Sequence, residues 1–379
     1  MSVQPSHSVA LIPGDLNGKT VTDAVVELSH AVHCAGILSL PISHTTLPYN
    51  AEYFVNEGIK ELRKSELGTL LGFDAIFEGA IGDPTKLKPG VIEVGLLLKI
   101  RQEFDQYVNL RPVVLAEGVD SPLRYKDHRH INFEIVRENT EGLYVGKGRI
   151  ANPGTDAEVA IQEMQCSYKG VKRLIEYAVE RAIVKGEEKG RKPRLHIAFK
   201  NNVLTYACSP WDRVLKEFKE ARDDVDIGYI HIDNFGMQMI TCPEQFDVVA
   251  TENMFGDIMT DIGAILGGGI GAGVSGNIDP TRRFPSMFEP LHGSAPDKWY
   301  ETLSSGEYVK DSFVPELVQK VKPEAAFMSY AMMLEHLGEP VAAKVMKDAA
   351  LANLRNPNYK TMTLNHLVDD ACKYVQKQV

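Results

Sequence analysis

Short apolar, β-branched runs alternate with longer segments of helical period along nearly the whole chain, and this alternation limits the fold more than any other feature. Runs at 9–12, 37–41, 73–77, 131–137, 195–199, 228–232 and 246–251 predict strands. Between them, 21–34, 89–104, 168–184 and a stretch from Pro210 carry the apolar spacing of amphipathic helices, and almost everything from Pro323 onward reads as helix. Such alternation predicts an α/β protein built on parallel strands. A chain of 379 residues exceeds what one core usually serves, so two domains are expected. Residues 299–322 are polar and weakly periodic, and predict a surface excursion.

Charge narrows the partners. The sequence holds 41 Lys and Arg against 51 Asp and Glu, a net charge of -10, and no basic run, which argues against nucleic acid. An anionic substrate would be repelled by that global field, so local arginines or a metal would have to bind it. The cysteines Cys34, Cys166, Cys208, Cys242 and Cys372 are scattered and never form a CxxC pair, which suits a reducing compartment. With no signal-like leader and no bilayer-length apolar stretch, the sequence reads as cytoplasmic and without a membrane partner.

Several constellations could carry chemistry. Gly271, Gly273 and Gly276 match GxGxxG, but a helical segment precedes them where the dinucleotide fingerprint needs a strand, so a tight glycine turn is expected instead. Asp257 and Asp261 fall one helical turn apart on one face, among Met254, Phe255, Ile258, Ile262 and Leu266. Two carboxylates so placed call for a cation between them, and oxygen donors favour magnesium or manganese over zinc. The plain alternative is a solvated acidic face. Arg101, Arg111 and Arg137 offer guanidinium forks suited to carboxylates, although each alone would suit a surface ion pair. Lys200 and Asp233 follow the predicted strands 195–199 and 228–232, at the carboxyl ends where α/β proteins bind ligands. A helix cap and a snorkelling lysine are the alternative reading there.

Taken in order, these segments resemble the isopropylmalate/isocitrate dehydrogenase family of β-hydroxyacid oxidative decarboxylases over nearly the whole chain. The resemblance is carried by Ile12-Pro13-Gly14-Asp15, Gly79-Ala80-Ile81-Gly82-Asp83-Pro84, Asn109-Leu110-Arg111-Pro112 and the run from Val136 to Tyr144. It continues through Lys200-Asn201-Asn202-Val203-Leu204, the run from Thr251 to Asp261, and the run from Phe288 to Asp297. It implies a two-domain α/β fold with a non-Rossmann nucleotide site. Residues 1–107 with 254–379 would form the nucleotide-binding domain, and 108–253 a central domain carrying dimer contacts. It also implies a homodimer whose active sites each borrow a lysine and an aspartate from the partner.

Carried over by position, Arg101, Arg111 and Arg137 would bind substrate carboxylates, Leu97 and Leu98 the third substituent, and Asp233, Asp257 and Asp261 the metal. Lys200 would be the base and Tyr144 the acid. Glu289, His292, Gly293, Ser294, Ala295 and Asp297 would meet the cofactor, with Asp297 favouring NAD over NADP. The implied reaction is NAD- and Mg2+- or Mn2+-dependent oxidative decarboxylation of a small 2-hydroxy diacid. Leucines before Arg101 point to 3-isopropylmalate, as in leucine biosynthesis, because a carboxylate there would be unpaired. D-malate, tartrate, isocitrate, homoisocitrate or a specialised acid are the alternatives, and a non-catalytic regulatory subunit is a third reading. Three departures bear on this. The loop usually Gly-Asp-Gly-Ile-Gly reads Gly14-Asp15-Leu16-Asn17-Gly18; residues 298–321 replace a shorter loop, with Lys322 in place of an asparagine; and Lys99 adds a cation to the pocket helix.

Overall fold

The computed structural model describes residues 6–309, 312 and 314–378, with residues 270 and 315–317 described in their backbone alone. In chain order the elements are β1 (His7–Ile12), α1 (Asn17–Cys34), β2 (Ile42–Thr46), α2 (Ala51–Glu57), α3 (Lys64–Leu70) and β3 (Ala75–Glu78). A π-helical segment (Glu93–Leu98) runs into α4 (Lys99–Glu103), followed by β4 (Val108–Val114), β5 (Asn132–Glu138), β6 (Gly148–Ala151) and β7 (Val159–Gln162). Then come α5 (Tyr168–Glu188), β8 (Arg194–Phe199), α6 (Ser209–Ala221), β9 (Asp226–His231), α7 (Ile232–Thr241), β10 (Val248–Thr251) and α8 (Asn253–Leu266). The chain ends with β11 (Val274–Ile278), β12 (Ser286–Pro290), α9 (Glu324–His336), α10 (Pro340–Leu354) and α11 (Leu364–Gln376).

These elements gather into two compact units. The first comprises 1–104, 116–119 and 268–379, the second 105–115 and 120–267. In the first, strands run in the order β2-β1-β3-β12-β11, parallel except where β11 meets β12. Val9, Ala10, Leu11 and Ile12 are all buried, as expected of a strand covered on both faces. Helix α1 turns Val21, Val25, Leu28 and Val32 inward at three- and four-residue spacing and packs against α9 and α11.

The second unit orders its strands β4-β5-β10-β8-β9, with β4 antiparallel to β5 and the others parallel. Helix α8 packs on β4, β5 and β10, and this contact groups 253–266 with the second unit. Ser167 caps α5 by accepting from the Gly170 amide, and the Glu252 carboxylate caps α8 by accepting from Met254 and Phe255 at 3.1 and 2.7 Å.

Three expectations need correction. The apolar run at 37–41 is not a strand; pairing begins at Ile42, where a polar Ser-His-Thr-Thr sequence suits the sheet edge it occupies. The helix read over 89–104 is π-helical through Glu93–Leu98, which rotates its side chains away from α-helical spacing. The excursion at 299–322 is not surface throughout, since Trp299 is 3% exposed. The GxGxxG segment is a 3-10 turn (Ile270–Ala272) leading into β11 with no helix behind it, the reverse of the order a dinucleotide fingerprint requires.

Candidate active site

Within the second unit, the carboxyl end of β5 delivers Arg137, only 1% exposed, to the first turns of α8. Its Nε and Nη2 donate to Asn253 Oδ1 at 3.0 and 2.7 Å, and its Nη1 donates to the Asp257 carboxylate. Gly256 makes this approach feasible, because a Cβ there would lie 2.5 Å from Arg137 Cγ. Tyr144 donates to the other Asp257 oxygen at 2.9 Å, and its ring lies 5.6 Å from the Arg137 guanidinium. Burial and the neighbouring Asp257 charge push the Tyr144 phenol above its ordinary value, so it keeps its proton.

Arg111, on β4, faces the same helix. Its Nη1 donates to Thr260 Oγ1 at 2.5 Å, and its guanidinium lies 3.7 Å from Asp257 and 3.8 Å from Asp261. Asp257 and Asp261 thus share one helix face with two buried guanidiniums; Asp257 is half-buried against them, while the Asp261 side chain stays 67% exposed. Burial and the Asp257 charge raise the Asp261 carboxyl above its ordinary range, so a cation between the two would relieve both. Their all-oxygen donor set fits magnesium or manganese.

Lys200 and Asp233 stand apart from this group. They form an ion pair of 2.8 Å at the ends of β8 and β9, with Asp233 in the first turn of α7. The lysine holds the Asp233 carboxyl below its ordinary range. Among the described residues, no three His, Cys, Asp or Glu side chains gather into a metal-holding group, so one chain brings together Asp257 and Asp261 but not Asp233.

In the first unit, Arg101 is buried on α4 and donates from Nη2 to Glu289 Oε1 at 2.7 Å. The leucines before it divide: Leu96 is fully buried, Leu97 packs against the core, and Leu98 is half-buried near the 60%-exposed Val94 in sequence. Lys99 pairs with Glu61 and Glu103 at 3.5 and 3.1 Å, which engages the cation that a third acidic substituent would require.

The loops of the first motifs interlock through backbone. Asp15 accepts from the amides of Ala51 and Gly82, and a Cβ on Gly14 or Gly18 would collide with the Ala80 carbonyl at 2.2 or 2.1 Å. Ser294 donates to the Gly82 carbonyl, and Ala295 takes a left-handed φ of 53° before the exposed Asp297. His292 Nδ1 lies 3.2 Å from the Gly293 carbonyl while its buried Nε2 has no partner among the described residues. Burial lowers the His292 pKa, so the ring is neutral and, donating from Nδ1, leaves Nε2 as an acceptor for an amine. That orphaned atom fits a nucleotide base. Lys322 instead ties the chain to itself, donating to the carbonyls of Tyr359 and Met362 at 2.8 and 2.7 Å.

Asn253, Gly256, Thr260 and Glu289 hold the arginines in place, and sequence reading did not assign the first three a role. All three lie inside or beside the Thr251 to Asp261 run, so the motif was legible but the division of labour within it was not.

Strand-end cations and paired helix carboxylates on an α/β frame are groups suited to handling a small, multiply charged acid. Residues 8–378 match the isocitrate/isopropylmalate dehydrogenase family, and the chain belongs to it. It is accordingly a decarboxylating hydroxyacid dehydrogenase. The chain is 42% identical over 347 residues to 3-isopropylmalate dehydrogenase of Mycobacterium tuberculosis, covering 91% of this chain and 93% of that one. Against 3-isopropylmalate dehydrogenase of Thermobifida fusca it is 38% identical, with 98% of each chain covered. Among solved structures, isocitrate dehydrogenase from Methylococcus capsulatus superposes with a TM-score of 0.78 at 27% identity, covering 98% of this chain and 99% of that one.

Proposed function

We propose that the protein oxidises and decarboxylates 3-isopropylmalate, with NAD as oxidant and Mg2+ or Mn2+ as metal, in the cytoplasm and as a homodimer. The observation that carries this reading is the convergence of Arg111, Arg137 and Tyr144 on Asp257. Asp257 and Asp261, with Asp233 from a second copy, would hold the metal, and His292, Gly293, Ser294, Ala295, Asp297 and Glu289 would serve the nucleotide. When bound, the metal supplies Lewis acidity and NAD the hydride acceptor.

The chain's own residues do the rest. Arg101, Arg111 and Arg137 fix the carboxylates through bidentate forks. Lys200, serving the site of the second copy, takes the hydroxyl proton, and Tyr144, protonated beside Asp257, gives a proton to the carbon that loses carbon dioxide. Leu97 and Leu98 receive the alkyl group, and Lys99 on the same helix is already paired with Glu61 and Glu103.

A second copy is supported by exposed apolar side chains on two neighbouring helices, Met237 and Ile240 on α7 and Ile258 and Ile265 on α8. Ile150 and Val159 on the β6-β7 hairpin are exposed as well. Mixing inactive Lys200→Ala with inactive Asp257→Asn tests both points. Shared sites predict that mixed dimers regain part of the NADH formation from 3-isopropylmalate; mixtures as inactive as either parent would contradict them.

A further inference from the structure

Glu78, the last residue of β3, is completely buried, and no donor among the described residues reaches either of its carboxyl oxygens. Parallel pairing aligns Phe77 with Phe288, so the next residues, Glu78 and Glu289, stand side by side on neighbouring strands. Glu289 Oε1 is already engaged: it accepts from Arg101 Nη2 at 2.7 Å, Asn277 Nδ2 at 2.8 Å and Ser275 Oγ at 3.1 Å. A fully buried carboxyl therefore lies beside a mostly buried one that already pairs with a single guanidinium.

Both cannot be charged. Two buried anions against a single cation would leave an uncompensated charge, whose desolvation is far costlier than protonation. Glu289 has the donors that stabilise a carboxylate, whereas Glu78 has none. Glu78 is the member that takes the proton, and as an acid it gains an acceptor in Glu289, within hydrogen-bond reach.

We propose that Glu78 is a positioning residue: a neutral carboxylic acid that donates to Glu289 and so fixes the carboxylate against which Arg101 is set for substrate. The groups facing it are Glu289 from β12 and Arg101 from α4; its partner on β1 is Ile12, and Tyr330, on the overlying α9, directs its hydroxyl to His44 and Ser29. Burial, then the Glu289 charge, holds the Glu78 carboxyl well above the usual range. With Glu78 neutral, the three side chains sum to zero charge. An ionised Glu78 would leave the cluster negative and oppose an incoming carboxylate.

The proposal rests on Arg101 as a substrate arginine, so its test has one arm that needs no substrate. Infrared difference spectra at neutral pH, wild type against Glu78→Gln, should show a protonated-carboxyl band in the wild type that the variant lacks. No such band would mean that Glu78 is ionised and would overturn the proposal, whatever the substrate is. In kinetics, Glu78→Gln keeps a donor and should hold KM for the 2-hydroxy diacid within about twofold, whereas Glu78→Leu should raise it about tenfold with kcat much less affected. A merely structural Glu78 would lower stability in both variants without this split, and an unchanged KM in Glu78→Leu would overturn the positioning role. If Glu78→Leu does not fold, a raised KM in Glu78→Gln equally overturns it. A band in a wild type that turns over no 2-hydroxy diacid would overturn the link to substrate and leave the buried acid standing.

Discussion

The indole Nε1 of Trp299 donates to Asn17 Oδ1 across 2.8 Å, and both residues are buried. This bond ties the start of the 298–321 excursion to the loop where Leu16 and Asn17 stand in place of the family's glycine and isoleucine. Tyr300 adds a bond from its hydroxyl to Asp83 at 3.1 Å, on the second interlocked loop. Two of the departures from the family pattern are thus parts of one local structure.

Trp299→Phe should strand the Asn17 oxygen and cost about 1–3 kcal/mol of stability in urea titrations. Asn17→Ala in the same background should then add little, since the bond is already lost. Because Asn17 begins α1 beside the Ser294 carbonyl, both variants should also weaken NADH binding, measured by fluorescence titration. Additive losses would show that the two side chains are not coupled.

Leu16 has φ 50° and ψ -114°, a conformation that favours glycine. Strain of about 1–3 kcal/mol is typical there, against about 1 kcal/mol for the extra freedom glycine brings to the unfolded chain. Leu16→Gly should therefore raise the denaturation midpoint by the equivalent of roughly 1 kcal/mol. A lower midpoint would show that packing of the leucine outweighs its backbone strain.

Gly256→Ala should disturb Arg137, because the new Cβ would lie 2.5 Å from the arginine stem, whose guanidinium is buried and bonded to Asn253. We expect a stability loss of about 1–3 kcal/mol and a fall in kcat/KM of at least tenfold, read by steady-state kinetics. Full activity would mean that Arg137 can shift without cost.

Glu138 is 2% exposed, and burial raises its carboxyl to about 7 in spite of bonds from Thr140 and Glu141. The folded state therefore keeps a proton that the unfolded chain releases above about 4.5. Its contribution to stability is complete below pH 4.5 and declines as pH rises to about 7, by a total on the order of 3 kcal/mol. Denaturation of wild type and Glu138→Gln across this window should show the decline only in the wild type. Parallel profiles would contradict it.

The sequence made the acid-handling residues legible where local geometry alone placed them. Asp257 and Asp261 share a helix face by spacing, and Lys200 and Asp233 meet because adjacent parallel strands end together. Features that depend on distant neighbours were not legible. Glu78 reads as a polar strand end until β12 brings Glu289 beside it, and Trp299 reads as part of a polar excursion until Asn17 receives its indole. The leucine wall fell between these cases: helical period placed Leu96, Leu97 and Leu98 on one element, but the π-helical segment decided which of them point into the core.

Substrate choice is best tested by comparing kcat/KM with NAD and Mg2+ or Mn2+ for 3-isopropylmalate, D-malate, tartrate, isocitrate and homoisocitrate. Burying a branched alkyl group is worth about 2 kcal/mol, so 3-isopropylmalate should exceed D-malate by on the order of 30-fold. Isocitrate, whose third carboxylate would find Lys99 already paired, should be poorer still. Preferred turnover of isocitrate or homoisocitrate, or of D-malate at an equal rate, would contradict the assignment of the leucine-bearing helix to an alkyl substituent.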